Sequence, residues 1–158
     1  MRIRSATLLR EQRLPGTPEE VFPFFGDALN LERITPPWLG FRVVTPGPIA
    51  IGAGTLIEYR LRLHGVPLRW LTRIEAWEPP RRFVDVQLRG PYRSWRHEHT
   101  FAADGRGGTE MRDRVDYALP LGPLGSLANA LLVRRDLRRI FDHRAAAVAE
   151  LLAERRTS

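Results

Sequence analysis

The side chains able to do chemistry in this chain concentrate in one short stretch. The segment Trp95-Arg96-His97-Glu98-His99-Thr100-Phe101 holds two of the four histidines, spaced two apart. In a strand that spacing puts both on one face, which they share with Trp95 and Phe101, while Arg96, Glu98 and Thr100 take the other. The apolar ends make the histidine face the inward one. On neighbouring segments Phe83, Asp85 and Gln87 share a face, and so do Met111, Asp113, Val115 and Tyr117. Antiparallel pairing of these three segments would bring Asp85, Gln87, His97, His99 and Asp113 into one interior region.

Three kinds of chemistry suit that set. The simplest is mutual satisfaction, because buried polar groups must hydrogen-bond to one another or to buried water. Next is ligand orientation, in which His97, His99 or Gln87 meets the polar group of an otherwise apolar molecule. The sharpest is proton transfer: a histidine beside Asp85 or Asp113 supplies the acid and base that a dehydration or an aldol-type cyclisation needs. Metal ligation by His97 and His99 with the two aspartates is also conceivable, but no third histidine is at hand, so neither metal nor cofactor is expected.

Other reactive motifs are missing. The chain has no cysteine, which excludes thiolate sites and disulfides. Ser5, Ser94, Ser126 and Ser158 lack a Gly-x-Ser-x-Gly context, and Gly105 to Gly108 joins two strands rather than opening a helix. His64, beside Gly65 at a hairpin tip, is expected in solvent, and His143 on the surface of a helix. Trp38, Trp70, Trp77 and Trp95 read as core or cavity wall, because aromatic rings dominate burial.

The elements that position these residues follow from periodicity. Arg4 to Leu14 reads as a strand. Thr17-Pro18-Glu19-Glu20 then starts a helix, with Thr17 as cap, Pro18 in the first turn and Glu20 closing a capping box. Pro23 and Gly26 keep it short, a second short helix spans Asp27 to Arg33, and Thr35-Pro36-Pro37 predicts extended chain. The period then changes to two. Strands are expected at Phe41–Thr45, Thr55–Leu63, Val66–Ala76, Phe83–Arg89, Tyr92–Ala103 and Thr109–Tyr117. Ile57, Tyr59, Leu61 and Leu63 alternate with charged residues, as do Leu68, Trp70, Thr72 and Ile74. From Leu124 to about Ala153 a helical period returns, with Leu124, Leu127, Leu131, Ile140, Phe141, Val148 and Leu152 as its apolar stripe. The expected fold class is α+β: a seven-stranded curved antiparallel sheet around a long C-terminal helix, with two short helices after the first strand.

Charge and composition narrow the partners. The net charge is +7, but all 25 basic residues are arginines spread from Arg2 to Arg156. The densest group, Arg134, Arg135, Arg138 and Arg139, shares its helix with Asp136 and Asp142. Backbone-binding surfaces need clustered charge, so no nucleic acid is expected as partner. The arginine-rich start has no apolar run of a secretory signal, and Pro120, Gly122, Pro123 and Gly125 break the longest uncharged stretch; a cytoplasmic protein without stable membrane insertion is expected. One domain, 1–158, suits the length.

Element order, together with Phe24, Asp27, Asn30, Leu31, Thr35-Pro36-Pro37-Trp38-Leu39, Gly90-Pro91-Tyr92, Trp95 to Phe101 and Gly108-Thr109-Glu110-Met111, resembles the SRPBCC superfamily. That superfamily includes START lipid-transfer domains, polyketide cyclase/dehydrase proteins and birch-pollen-allergen-like proteins. The resemblance implies a helix-grip fold around an apolar cavity used for carriage, sensing or catalysis. The expected function is binding of a hydrophobic or aromatic small molecule. The expected walls are Ile57, Tyr59, Trp70, Thr72, Gln87, Trp95, His97, His99, Phe101, Met111, Leu127, Leu131 and Phe141, with the entrance beside Ala118 to Val133. Two alternatives stand beside it: a cyclase or dehydratase using Asp85, His97, His99 and Asp113, and a cell-division-inhibitor-like interaction module that meets a protein partner at Trp38 and Leu39.

Overall fold

The computed structural model describes residues 5–120 and 126–158. Seven strands form one sheet: β1 (Ser5–Pro15), β2 (Arg42–Val43), β3 (Leu56–Leu63), β4 (Val66–Glu78), β5 (Arg82–Arg89), β6 (Ser94–Ala103) and β7 (Gly108–Ala118). Their spatial order is β1-β7-β6-β5-β4-β3-β2, every pair antiparallel. After β1 come two short helices, α1 (Pro18–Phe25) and α2 (Leu29–Ile34), and the chain ends in α3 (Ser126–Thr157). Leu124, the expected first residue of that last helix, lies outside the described residues.

Local chemistry accounts for most boundaries. The capping box forms as the residue types require: Glu20 N–H reaches Thr17 Oγ1 at 3.3 Å, and Thr17 N–H reaches Glu20 Oε2 at 3.0 Å. Pro23 does not interrupt α1, which runs to Phe25 before Gly26 N–H bonds to the Pro23 carbonyl. The two prolines at 36 and 37 do not hold an extended chain either. Thr35 and Pro36 are extended, but Pro37–Leu39 makes a single 3₁₀ turn, because proline's fixed φ also suits a first helical position. Strand β2 is only two residues long.

The sheet curls around α3, and its inner face divides into two parts. At one end Phe22 and Phe25 of α1 pack on Phe83 and Phe101, with ring centroids 5.2 to 6.3 Å apart and mostly edge-on or tilted. Leu14, Met111, Val148 and Leu152 complete this plug. Each such ring pair adds roughly 0.5–1.5 kcal/mol beyond its buried area. At the other end Trp95, Val115 and Tyr117 face Leu137 and Phe141 of α3, and a cavity lies between the two regions.

Candidate functional site

The cavity measures about 180 Å³ and lies between β3 to β6 and α3, with α2 along one side. Of the expected walls, Ile57, Tyr59, Trp70, Thr72, Trp95, His97, His99 and Phe141 line it. Four expected wall residues do not. Phe101 and Met111 belong to the plug, where α1 rather than a ligand covers them. Gln87 is spent on the β5–β6 turn: its Nε2–H donates to the Tyr92 carbonyl at 2.7 Å and its Oε1 accepts from Tyr92 N–H at 3.2 Å. A Cβ at Gly90 would sit 2.5 Å from Gln87 Oε1, so a side chain there would displace Gln87 from these bonds. Leu131 is 58% exposed. At about 100° per residue, the ten residues between Leu131 and Phe141 leave the two about 80° apart around the helix, so one stripe does not serve both. The side chain of Leu127 lies outside the described residues, as do 121–125 of the expected entrance.

The polar set comes together through strand register. Asp85 pairs directly with His97 across β5 and β6, and His99 pairs directly with Asp113 across β6 and β7. The side chains then bond diagonally: His97 Nε2 lies 2.7 Å from Asp113 Oδ1, and His99 Nε2 lies 2.9 Å from Asp85 Oδ2. The two imidazoles stack on each other at 3.6 Å, and Phe83 stacks on His99 at 3.9 Å. Asp85, His97 and His99 line the cavity, whereas Asp113 sits behind them and is 7% exposed. Asp85, His97 and His99 also place one metal-ligating atom each within 4.8 Å of one another.

Burial and hydrogen bonding oppose each other here. Burial alone would raise the Asp113 carboxyl, but its contacts with His97 and His99, and their charge, hold it well below the usual range. Asp85 behaves alike: burial raises it, and the His99 hydrogen bond with the charges of His97, His99 and Arg144 brings it below its ordinary value. His97 is pushed down to about 4 by burial and by neighbouring His99, against the pull of Asp113 and Asp85. At neutral pH, then, His97 is a neutral imidazole that donates Nε2–H to Asp113, and its Nδ1 keeps a lone pair 3.9 Å from Asp85 Oδ2. Across the cavity, burial and the Asp85 charge raise the Tyr59 phenol above its usual range.

Several cavity residues, Leu137 and Arg144 of α3 among them, escaped the sequence reading. Arg144 lines the cavity, its guanidinium lies 5.9 Å from the Phe141 ring, and its Nη2 is buried without a hydrogen-bond partner. The signal was present in the spacing: Leu137, Phe141, Arg144 and Val148 recur at fours and threes, so an arginine interrupts an otherwise apolar stripe.

The remaining singled-out residues are elsewhere. His64 is exposed and its Nε2 lies 2.7 Å from Asp136 Oδ2 on α3. His143 is not a free surface residue; it is half-buried beneath Trp38, with ring centroids 5.6 Å apart. Trp38 is 51% exposed, and the Arg139 guanidinium lies 5.0 Å from the centre of its ring. The docking surface expected at Trp38 and Leu39 is thus partly covered by α3, and Leu39 is buried.

An antiparallel sheet gripping one long helix, with a cavity between them, defines the helix-grip class of folds. Solved structures agree over nearly the whole chain. TTHA0849 from Thermus thermophilus is 19% identical with a TM-score of 0.73, covering 94% of this chain and 98% of that one. Zhui aromatase/cyclase from Streptomyces sp. R1128 is 17% identical with a TM-score of 0.73, covering 98% and 97%. A START superfamily protein from Mycobacterium smegmatis is 11% identical with a TM-score of 0.66, covering 94% and 97%. The chain belongs to the polyketide cyclase/dehydrase and lipid transport family, whose model matches residues 6–153. No curated protein matches it by sequence. Among the described residues, no helix is long and apolar enough to cross a membrane.

Proposed function

We propose that the protein binds a small, largely apolar, ring-bearing molecule in the cavity, with the polar end of that molecule against Asp85, His97, His99 and Arg144. The observation that carries this reading is the composition of the walls. Aromatic and aliphatic side chains make up most of the walls, with a few polar groups among them, Asp85, His97, His99 and Arg144 included, which is the usual make-up of a small-molecule site. Size narrows the ligand. An apolar cavity of about 150 Å³ accepts benzene, so a space of about 180 Å³ suits one or two fused rings and is too small to enclose a long acyl chain. Family membership supports the same reading, since carriage and cyclisation both need such a space.

The test is direct binding. Naphthalene and 2-naphthol, titrated into the protein, should quench the fluorescence of Trp70 and Trp95, which line the cavity. Trp70→Phe should remove part of that response. Unchanged fluorescence, together with a ligand-free protein by native mass spectrometry after purification from its source, would count against the proposal.

A second reading, proton transfer on the bound molecule, rests on one specific observation. His97 presents an unprotonated Nδ1 near the cavity while Asp113 holds its other nitrogen, the arrangement of an oriented general base. Asp113→Asn would leave the cavity intact and lower turnover at least tenfold on any enolisable ketone that the wild type converts; equal turnover in both proteins would leave binding alone.

A further inference from the structure

His99 carries an unresolved demand. A neutral imidazole has one N–H and one lone pair. When Nε2–H donates to Asp85, the lone pair at Nδ1 faces Asp113 Oδ1 at 3.0 Å, and Nδ1 is buried without a hydrogen bond. In that neutral tautomer two acceptors face one another in the interior, a contact that burial makes costly and that an added proton or an added cation relieves.

We propose that Asp85, His97 and His99 form a binding site for a divalent transition-metal ion, with Asp113 as the shared carboxylate behind the two histidines. The inference uses the same cavity as the binding proposal but does not need the organic ligand. Asp85 Oδ2 and His99 Nε2 are 2.9 Å apart, and Asp85 Oδ2 and His97 Nδ1 are 3.9 Å apart. Ligand atoms held about 2.1 Å from a metal stand about 3.0 to 3.4 Å from one another in octahedral or tetrahedral geometry. One distance already fits and a rotation of Asp85 closes the second; the three ligand atoms all lie within 4.8 Å of one another, so the two imidazole nitrogens close on the ion by side-chain rotation as well. An ion there takes His99 Nε2 as ligand, so the proton moves to Nδ1 and is donated to Asp113. His97 already donates its other nitrogen to the same carboxylate, at 2.7 Å.

This is the arrangement in which metal-bound histidines are oriented by a carboxylate behind them. No net proton leaves the site, and two positive charges meet two buried carboxylates. Two histidines and one carboxylate suit zinc or ferrous iron and leave positions open. The cavity lies on that open side, so an oxygen of a bound molecule would complete the coordination.

The experiment uses the full chain stripped with a chelator and titrated with zinc and with cobalt(II). One equivalent should bind with micromolar affinity or better, and cobalt should give visible d–d bands. His97→Gln and His99→Gln should each abolish the bands. Asp113→Asn should weaken binding about 10–100-fold with circular dichroism unchanged. Nitrogen-15 NMR of the unsubstituted protein should show the His99 proton moving from Nε2 to Nδ1 on adding zinc, a readout that needs no variant. Uptake below one-tenth of an equivalent at tens of micromolar zinc would overturn the proposal. So would cobalt bands that survive both histidine substitutions, or a His99 already protonated on both nitrogens in metal-free protein. Binding of naphthalene is measured separately, so either idea can fail alone.

Discussion

His99 and Phe101 sit two residues apart on one face of β6, both nearly fully buried, yet they belong to different kinds of interior. Around Phe101 the rings of Phe22, Phe25 and Phe83 fill the space contributed by α1 and the sheet. Around His99 the neighbours are Asp85, His97 and Asp113, and beyond them lies the cavity. Phe83 marks the boundary, stacking on His99 at 3.9 Å and lying 6.1 Å from Phe101. One strand face thus supports a packed half that stabilises the fold and a polar half whose burial costs free energy. Such expense at one place is common at functional sites.

The comparison breaks most easily at its extremes. Phe101→Ala should cost roughly 3–5 kcal/mol, because the plug is dense and cannot collapse, and urea unfolding measures it. Binding of an apolar probe to the folded fraction should change little. Asp113→Ala should also be damaging, by about 1–3 kcal/mol, since the buried Nε2–H of His97 loses its acceptor. The contrast lies in the fourfold variant with leucine at Asp85, His97, His99 and Asp113. Replacing a whole buried ionic group by apolar side chains is often neutral or stabilising, so its urea midpoint should be no lower than that of the wild type. A fourfold variant as unstable as Asp113→Ala would mean that the polar half stabilises the fold after all.

The pH dependence should follow the polar half. The folded value for His97, about 4, lies below the ordinary value of about 6.5. The unfolded chain therefore holds the extra proton between the two, and stability falls as pH is lowered through that window. In metal-free protein the loss should reach roughly 3 kcal/mol, from about 2.5 pH units at 1.36 kcal/mol each. Asp85 and Asp113, lowered in the fold, continue the loss below pH 4. His97→Gln should flatten the upper part of this profile, and an unaltered slope would assign it to other groups.

The smallest effect belongs to the surface. Asp104 accepts from the backbone N–H of Arg106, from the Arg13 guanidinium and from the backbone N–H of Gly108, which lowers its carboxyl to about 2. Asp104→Asn should lower the thermal midpoint slightly at neutral pH and have no effect below about pH 2, where the native carboxyl is protonated too. An equal difference at both pH values would mean that shape, not charge, sets this turn.

Much of this architecture was legible in the residues. Period two from Leu56 to Ala118 and the capping box at Thr17 depend on neighbours in sequence, so strands and helix starts were readable. The facing of His97 and His99 followed from the same alternation. Other features depend on what packs from afar. Phe101 and Met111 share the inward face with the histidines, and only the position of α1 makes them plug rather than wall. Gln87 shares the face of Asp85, but the tight turn at Gly90 takes its side chain. Leu131 and Phe141 are both apolar residues of α3, and the helix's rotation on the sheet selects one. Diagonal pairing of His97 with Asp113 and His99 with Asp85 needs side-chain directions, which alternation alone does not supply.

The most direct measurement of the central proposal uses the histidines themselves. The chain has four, and only His97 and His99 line the cavity; His64 pairs with Asp136, and His143 lies under Trp38. Long-range proton–nitrogen NMR spectra recorded as 2-naphthol is added should therefore show the ring signals of His97 and His99 moving together, saturably, while those of His64 and His143 stay fixed. Movement of His64 or His143 alone, or no movement at ligand concentrations up to the solubility limit, would contradict a ligand site between the sheet and α3.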